Sequence, residues 1–516
     1  MSHDRVRAVA WHCVLICGAV GAALRPERSP AEQAPAAKPL LVGFAERDIT
    51  PDIGMEQPGG YGKAYHRSLH DPCKVRAAVL DDGTRQVALV SVDALMLRES
   101  TIAAARRAIE AGCGLPGEAV LIAATHSHSA GPTGMVLPGE FDDADEWVRH
   151  LAYEVASSAD KGYLEKVEAR IAAAVCEAFQ ARKPATCGVG KGLAEGVAFN
   201  RRFRMKNGLT FTHPGQMNPD IVEVAGPVDP EVIVWGAFDE SGNLQGCVVN
   251  FACHATTNPG GISANWIYYM EKAIRGFFGP DVVVLFLAGF SGDVTQVDNL
   301  RPYPQPSGEE WAKLVGGSVG AESIKVLLKM HRGQTVPLQT AVKRLTIPRR
   351  PPNPDRVRQA LELTRKDPKE VGHTDWIFAV QTVLLDAMMK KTPQAEVELQ
   401  AVQIGPLVIL GNPAEYFCRY GLELKAGSPF PFTMPVGLAN GCVGYVPTTD
   451  AFGPNGGGYE TRLTAYSNLE ITAGDKIRDG LLELVRGLTP GPIPEPPRVK
   501  PVTSPWTYGN LGPQLE

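Results

Sequence analysis

Strand-length apolar runs alternating with amphipathic helical segments predict an α/β chain, mixed α+β, around a central mixed sheet. Abundant Gly (54) and Pro (42) imply many turns and loops rather than a helical bundle or coiled coil. At 516 residues, 44% of them hydrophobic, the chain can bury one large core or two ordinary ones. No long linker divides residues 40 to 490, so one large catalytic-sized domain is expected there.

The elements follow in order. Arg5 and Arg7 precede an apolar stretch that ends in small residues, so residues 1–24 read as a signal peptide or signal-anchor. A full membrane span needs about 20 apolar residues, and this run is shorter. Residues 25–39 are a Pro/Ala-rich linker. The protein is therefore expected to be exported, whether secreted, periplasmic or held at a membrane by its N-terminus.

"KVRAAVLDDGTRQVALVSVDAL" is a hairpin, two alternating runs around Asp-Asp-Gly. "RESTIAAARRAIEAG" has helical spacing and is expected to close at Gly112. "EAVLIAAT" is a strand delivering His126, and "YLEKVEARIAAAVCEAFQ" a long amphipathic helix. "EVIVWGAFD", "QGCVVNFACH" and "DVVVLFLAGF" are strands, with "NWIYYMEKAIRGFF" a helix between the last two. Residues 301 to 400 are more helical and more charged, and "RLTIPRRPPNPDRV" reads as a surface excursion. "ELQAVQIGPLVILGNPAE" is a second hairpin, turning at Gly405-Pro406, and residues 491–516 are a Pro-rich surface tail.

The charge balance, net -5 with both signs mixed, has no basic stripe and argues against nucleic acid as a partner. Ten cysteines occur without a C-x-x-C, so zinc-finger spacing is absent. Sequence does not say which of them would pair in an exported protein, nor the oligomeric state.

Three apolar strands each end in a polar or ionisable residue before a loop of small residues. They deliver His126 and His128 in "THSHSAGP", His254 in "NFACHATT", and Asp293 in "FSGDVTQ". On a strand, positions i and i+2 share a face, so both imidazoles of H-x-H would look into one pocket. Side-by-side strand ends would form one site, where open α/β sheets place ligands. A fourth strand ends at Glu415, either a helix-start charge or a carboxylate ligand. A fifth loop carries Tyr445.

"THSHSAGP", "NFACHATT", "GDVTQ", "NPAEYF" and "NGCVGYVPTT...GGYE" occur in the order of the signature segments of the neutral/alkaline, non-lysosomal ceramidases, which this chain resembles over roughly residues 40 to 475. "VGFAERDITPDIGMEQPGGYG" matches the opening segment. The resemblance implies a zinc-dependent amidase that releases a fatty acid from an N-acyl amide such as ceramide. It implies one Zn2+ per chain, with His126, His254, Glu415 and Tyr445 as ligands. His128, Arg201, Asp293, Thr295 and Tyr459 would then be the catalytic residues on the substrate side, and contact with a membrane surface is implied by a lipid substrate.

Two imidazoles and a carboxylate are a common catalytic zinc set; a phenol ligand is unusual and rests on the resemblance alone. His128, Arg201 and Tyr459 are the candidates for stabilising an oxyanion or protonating the leaving amine. The sequence departs from the family in three places. Thr295 and Gln296 stand where serine and proline are usual, and Cys442 replaces a tyrosine. The expected C-terminal immunoglobulin-like domain is also missing. A smaller or more polar N-acyl amide is an alternative substrate. Another metal-dependent amidohydrolase, or a non-catalytic exported binding protein on the same fold, are the alternative functions.

Overall fold

The computed structural model describes residues 39–504 and 506–516; the leader and nearly all of the linker lie outside them. Pro39–Glu516 form one compact unit. Three mixed sheets, rather than one central sheet, make up its interior. The first orders its strands Val120–Ala124, Gln86–Val92, Lys74–Asp81, Leu41–Asp48 and Lys183–Pro184. The second runs Val283–Ala288, Leu244–Phe251, Glu231–Phe238, Thr186–Leu193, and the third Leu338–Pro348, Gln394–Ile404, Leu407–Gly411, Phe432–Val436.

The apolar runs of the sequence become strands buried on both faces, because successive side chains alternate between two different cores. In the first sheet Val79, Val90 and Ile122 face the helices Glu99–Cys113 and Lys161–Gln180. Their neighbours Leu80, Leu89 and Leu121 face inward. There they meet Trp235 and Leu285 of the second sheet and Ile404 and Ile409 of the third. Helices Trp266–Phe278 and Gly308–Lys329 cover the second sheet's outer face, and Ala473–Arg486 covers the third.

Local signals set the helix ends. Asp160 caps Lys161–Gln180 by accepting the Tyr163 amide, and Asn265 caps the helix starting at Trp266. Glu99–Cys113 does not stop at Gly112. It closes one turn position later through Gly114, whose φ of 74° is the left-handed conformation that glycine tolerates best. The start of "RLTIPRRPPNPDRV" is no surface excursion: it finishes an eleven-residue edge strand, Leu338–Pro348, paired throughout with Gln394–Ile404. Pro354 then opens a new helix at its first position.

Each sheet contains one parallel pair: Val120–Ala124 with Gln86–Val92, Leu244–Phe251 with Val283–Ala288, and Leu407–Gly411 with Phe432–Val436. The loops leaving these strands meet at one point. Two short bridges tie them there. Glu415–Tyr416 pairs with Tyr445–Val446, and Val294–Thr295 pairs with Phe199–Asn200.

Candidate metal centre

His126 lies two residues past its strand, and its φ of 63° is left-handed. His126 and His128 therefore do not share a strand face. The turn brings their rings together edge-on, with centroids 4.8 Å apart. The Nδ1 of His126 is 2.8 Å from the carbonyl of Leu95. The Nδ1 of His254 is 2.7 Å from the carbonyl of Ser291. A carbonyl only accepts, so each Nδ1 donates a proton there and Nε2 is the ring atom left to face the centre, where Arg201 Nη1 also approaches His254 Nε2 at 3.4 Å.

Both Nε2 atoms face one carboxylate oxygen. Glu415 Oε2 stands 3.1 Å from His126 Nε2 and 3.1 Å from His254 Nε2. It is buried and has no hydrogen-bond donor. Three electron-rich atoms so close repel one another unless a cation lies among them. Ligand atoms about 2.0–2.1 Å from a tetrahedral zinc would stand roughly 3.3 Å apart, so the spacing fits. Burial opposes ionisation of Glu415, but the facing His126 and His254 hold it well below the usual carboxylate range. Burial, reinforced by Arg201, lowers His254 to about 4. Neutral imidazoles and an ionised carboxylate are the states a divalent cation requires.

Two groups flank this triangle. His128 Nε2 lies 3.4 Å from His126 Nε2, and Tyr445 Oη lies 3.4 Å from His254 Nε2. His126, His128 and His254 by themselves also form a group able to hold a metal, with ligand atoms within 4.8 Å. The tighter focus is the triangle that includes Glu415. Its other oxygen, Oε1, accepts from Tyr466 at 2.6 Å. This is the outer support that fixes a ligating carboxylate.

Arg201 crosses the back of the site. Its Nε donates to Glu460 Oε1 at 2.9 Å, and Nη2 donates to the Gly292 carbonyl at 2.7 Å and to Tyr459 Oη at 3.2 Å. Tyr459 in turn hydrogen-bonds Tyr445. Glu460 also receives Arg202 at 2.9 Å, so one fully buried carboxylate holds two guanidiniums. Asp293 sits behind this layer and touches no imidazole. It accepts from Asn200 at 2.7 Å and from the Cys418 amide at 2.8 Å, bracing the residue beside Arg201 against the segment that follows Glu415. The Thr295 hydroxyl accepts from the Val297 amide at 3.2 Å, a local turn contact.

A cavity of about 70 Å³ opens onto the centre, lined by Gly59, Tyr61, Met96, His128, Tyr459 and Tyr466 among others. Gly59 is pressed against His128: a Cβ at that position would lie 2.5 Å from Nδ1. Glu460, Tyr466, Tyr61 and Gly59 were not singled out from the sequence. Glu460 lies inside the "GGYE" segment, and Gly59 and Tyr61 inside "VGFAERDITPDIGMEQPGGYG"; Tyr466 had no such signal, and the paired Arg201-Arg202 that demand a counter-charge stand far from Glu460 in the chain.

Fold and centre together define a mixed α/β protein whose metal-competent site is built where strand ends of three sheets converge. The fold is shared with neutral ceramidase. The structure of neutral ceramidase from Pseudomonas aeruginosa aligns with a TM-score of 0.64 at 19% sequence identity, covering 89% of this chain and 77% of that one. A ceramidase complexed with C2 aligns with a TM-score of 0.63, also at 19% identity, over 90% of this chain and 77% of that chain. The fold is therefore shared, while no family model and no curated sequence matches the chain.

Proposed function

We propose that this protein is a zinc-dependent amidase that cleaves an N-acyl amide of lipid type, ceramide or a close relative, into a fatty acid and an amine. The reading is carried by one observation: the Nε2 atoms of two imidazoles, each 3.1 Å from one orphaned carboxylate oxygen, on a ceramidase fold. In this reading His126, His254 and Glu415 hold the ion, with Tyr445 as its further neighbour. A divalent zinc there supplies Lewis acidity, polarising a carbonyl and acidifying water.

The chain's own residues do the rest. His128 projects into the cavity beside His126, and burial, then the neighbouring His126 and His254, keeps it neutral, so it accepts a proton. Arg201 holds Tyr459 in place and presents positive charge toward the centre, stabilising an oxyanion. Tyr459, kept protonated by burial, is a donor for the leaving amine. Asp293 positions these groups without touching substrate, and Thr295 has no part in the chemistry. We further propose export, on the strength of the N-terminal residues, and contact with a lipid surface during substrate capture.

Fatty-acid release from a panel of N-acyl amides that includes ceramides tests the substrate. Turnover of ceramides that disappears in His254→Ala supports the reading. Turnover of small amides alone would remove the lipid assignment. A well-folded protein that binds no metal and turns over nothing would favour a binding protein on the same fold.

A further inference from the structure

The small sheet ordered Ile221–Val224, Arg202–Met205, Thr210–Thr212 is turned inside out. Directly paired residues share a face. Arg202 pairs with Thr212, and Arg204 with Thr210 and Glu223, so one face is polar. That face points into the molecule: Arg202 and Thr212 donate to Glu460 at 2.9 Å and 2.7 Å, and Thr210 donates to the Asn455 carbonyl at 2.8 Å. Phe203 pairs with Phe211 and Val224, and Met205 with Ile221, so the face turned away is apolar. A half-solvated antiparallel sheet has the opposite arrangement, apolar within and polar without.

A loop crosses the apolar face. Both outer strands run antiparallel to the central one, so the connection from Thr212 to Ile221 has to pass over it. Phe203 and Met205 are buried there, yet they join none of the molecule's cores among the described residues. The cover is itself apolar on its outside. Met217 of the loop is 55% exposed, and its amide donates to the Asn299 carbonyl at 2.7 Å. That bond brings up Leu300 and Tyr303, 47% and 69% exposed. Leu209, Phe211 and Val224 of the sheet are exposed too. The charges on its strands and turn are paired, Lys206 with Asp220 at 3.4 Å and Arg204 with Glu223 at 2.8 Å. A contiguous exposed apolar patch on a folded protein marks a surface that meets another apolar phase.

This lobe adjoins the metal centre. Thr212 Oγ1 accepts, at 3.3 Å, from the amide of Tyr459, which lines the central cavity. That cavity holds about 70 Å³, far below the roughly 300–1,000 Å³ of pockets that enclose a whole ligand. It has room for a reacting amide and not for long alkyl chains, so the chains of a lipid amide stay in an apolar phase outside. We propose that the lobe, through Phe211, Met217, Leu300 and Tyr303, inserts into a lipid surface, and that the amide passes from that surface into the centre. Resting on the lipid-amide reading, this deepens it: the enzyme works at an interface. Because the lobe's charges are paired, neutral zwitterionic lipid is enough to bind it.

Fluorescence locates the contact without turnover. Full-length, zinc-loaded Leu300→Trp is mixed with phosphatidylcholine vesicles whose acyl chains carry bromine, a contact quencher. Leu328→Trp, at an exposed apolar position on the helix Gly308–Lys329, is the reference. The vesicles should quench the added emission of Leu300→Trp and leave that of Leu328→Trp unchanged. A second comparison combines Phe211→Ser, Met217→Ser and Leu300→Ser. Hydrolysis of an N-acyl amide embedded in vesicles should fall at least about tenfold, the scale of withdrawing a few apolar side chains from lipid. Zinc content and hydrolysis of a water-soluble short-chain amide should not change. No quenching of Leu300→Trp, or equal quenching of both variants, would overturn the docking lobe and leave the patch to a protein partner. An equal loss on soluble and embedded amides would overturn it as well. Quenching confined to Leu300→Trp in a protein that turns over no amide would keep the lobe and overturn the amidase reading.

Discussion

His126 Nε2 and Glu415 Oε2 stand 3.1 Å apart, and both are buried. The imidazole proton is committed to the Leu95 carbonyl on the far side of the ring, and the carboxyl is ionised. Only a cation makes such a contact favourable. Purified protein should therefore carry about one zinc per chain. His126→Ala, His254→Ala and Glu415→Gln should each lose it, measured by elemental analysis, while His128→Ala should keep it and lose activity. Zinc loss in His128→Ala would move that residue into the ligand set.

Gly59 predicts a subtler variant. Its φ of 120° is strained for any other residue, and a Cβ would strike the His128 ring. Gly59→Ala should displace that ring and lower kcat by about 10²-fold, the scale of a misplaced proton acceptor. Zinc content should not change. Wild-type kcat in this variant would show that His128 is not held by Gly59, or does not matter.

Glu460 is the shared counter-ion of Arg201 and Arg202. Removing its charge strands two buried guanidiniums. Glu460→Gln should cost about 3–5 kcal/mol of stability, read from urea unfolding, and should lower kcat together with stability. A variant with unchanged unfolding midpoint would mean that solvent or another carboxylate serves these arginines.

A pH prediction comes from the far side of the first sheet. Arg76 is fully buried with Asp93 at 2.8 Å and with Glu271, which also receives Lys74 at 2.9 Å and Arg275 at 2.8 Å. Burial opposes the charge on Glu271, but Arg76, Lys74 and Arg275 outweigh it and lower the carboxyl to about 2. A depressed carboxyl adds stability above its unfolded value, near 4.5, and that stability is lost as pH falls toward 2. The urea midpoint of the wild type should therefore fall across that window. Glu271→Gln should be less stable near neutrality and show a flatter decline.

Much of this could be read in the sequence, for physical reasons. Strands buried on both faces leave unbroken apolar runs, so "EAVLIAAT", "QGCVVNFACH" and "DVVVLFLAGF" announced themselves and their polar ends. Which strands pair did not, because alternating patterns name faces and not partners; hence three sheets where one was expected. The histidine pair was seen, but its geometry was misjudged: the left-handed turn at His126 has no periodicity to betray it. The edge strand Leu338–Pro348 was hidden because one side is partly exposed and charged residues interrupt its pattern. Asp293 was seen as a site residue, and its side chain turns out to brace the scaffold behind the site.

No sheet owns the centre. His126 hangs from the first, His254 from the second and Glu415 from the third, and within the compact unit the sheets also meet through a shared apolar core and through hydrogen bonds from Ser91 Oγ to the Phe286 carbonyl and from Asn250 Nδ2 to the Pro435 carbonyl. An ion held at this junction would act as a rivet among the three layers, adding one more directional tie to those that set their mutual register. The same few atoms that activate a substrate would thus also govern how tightly the layers stay aligned, so that chelation loosens architecture and chemistry in one event.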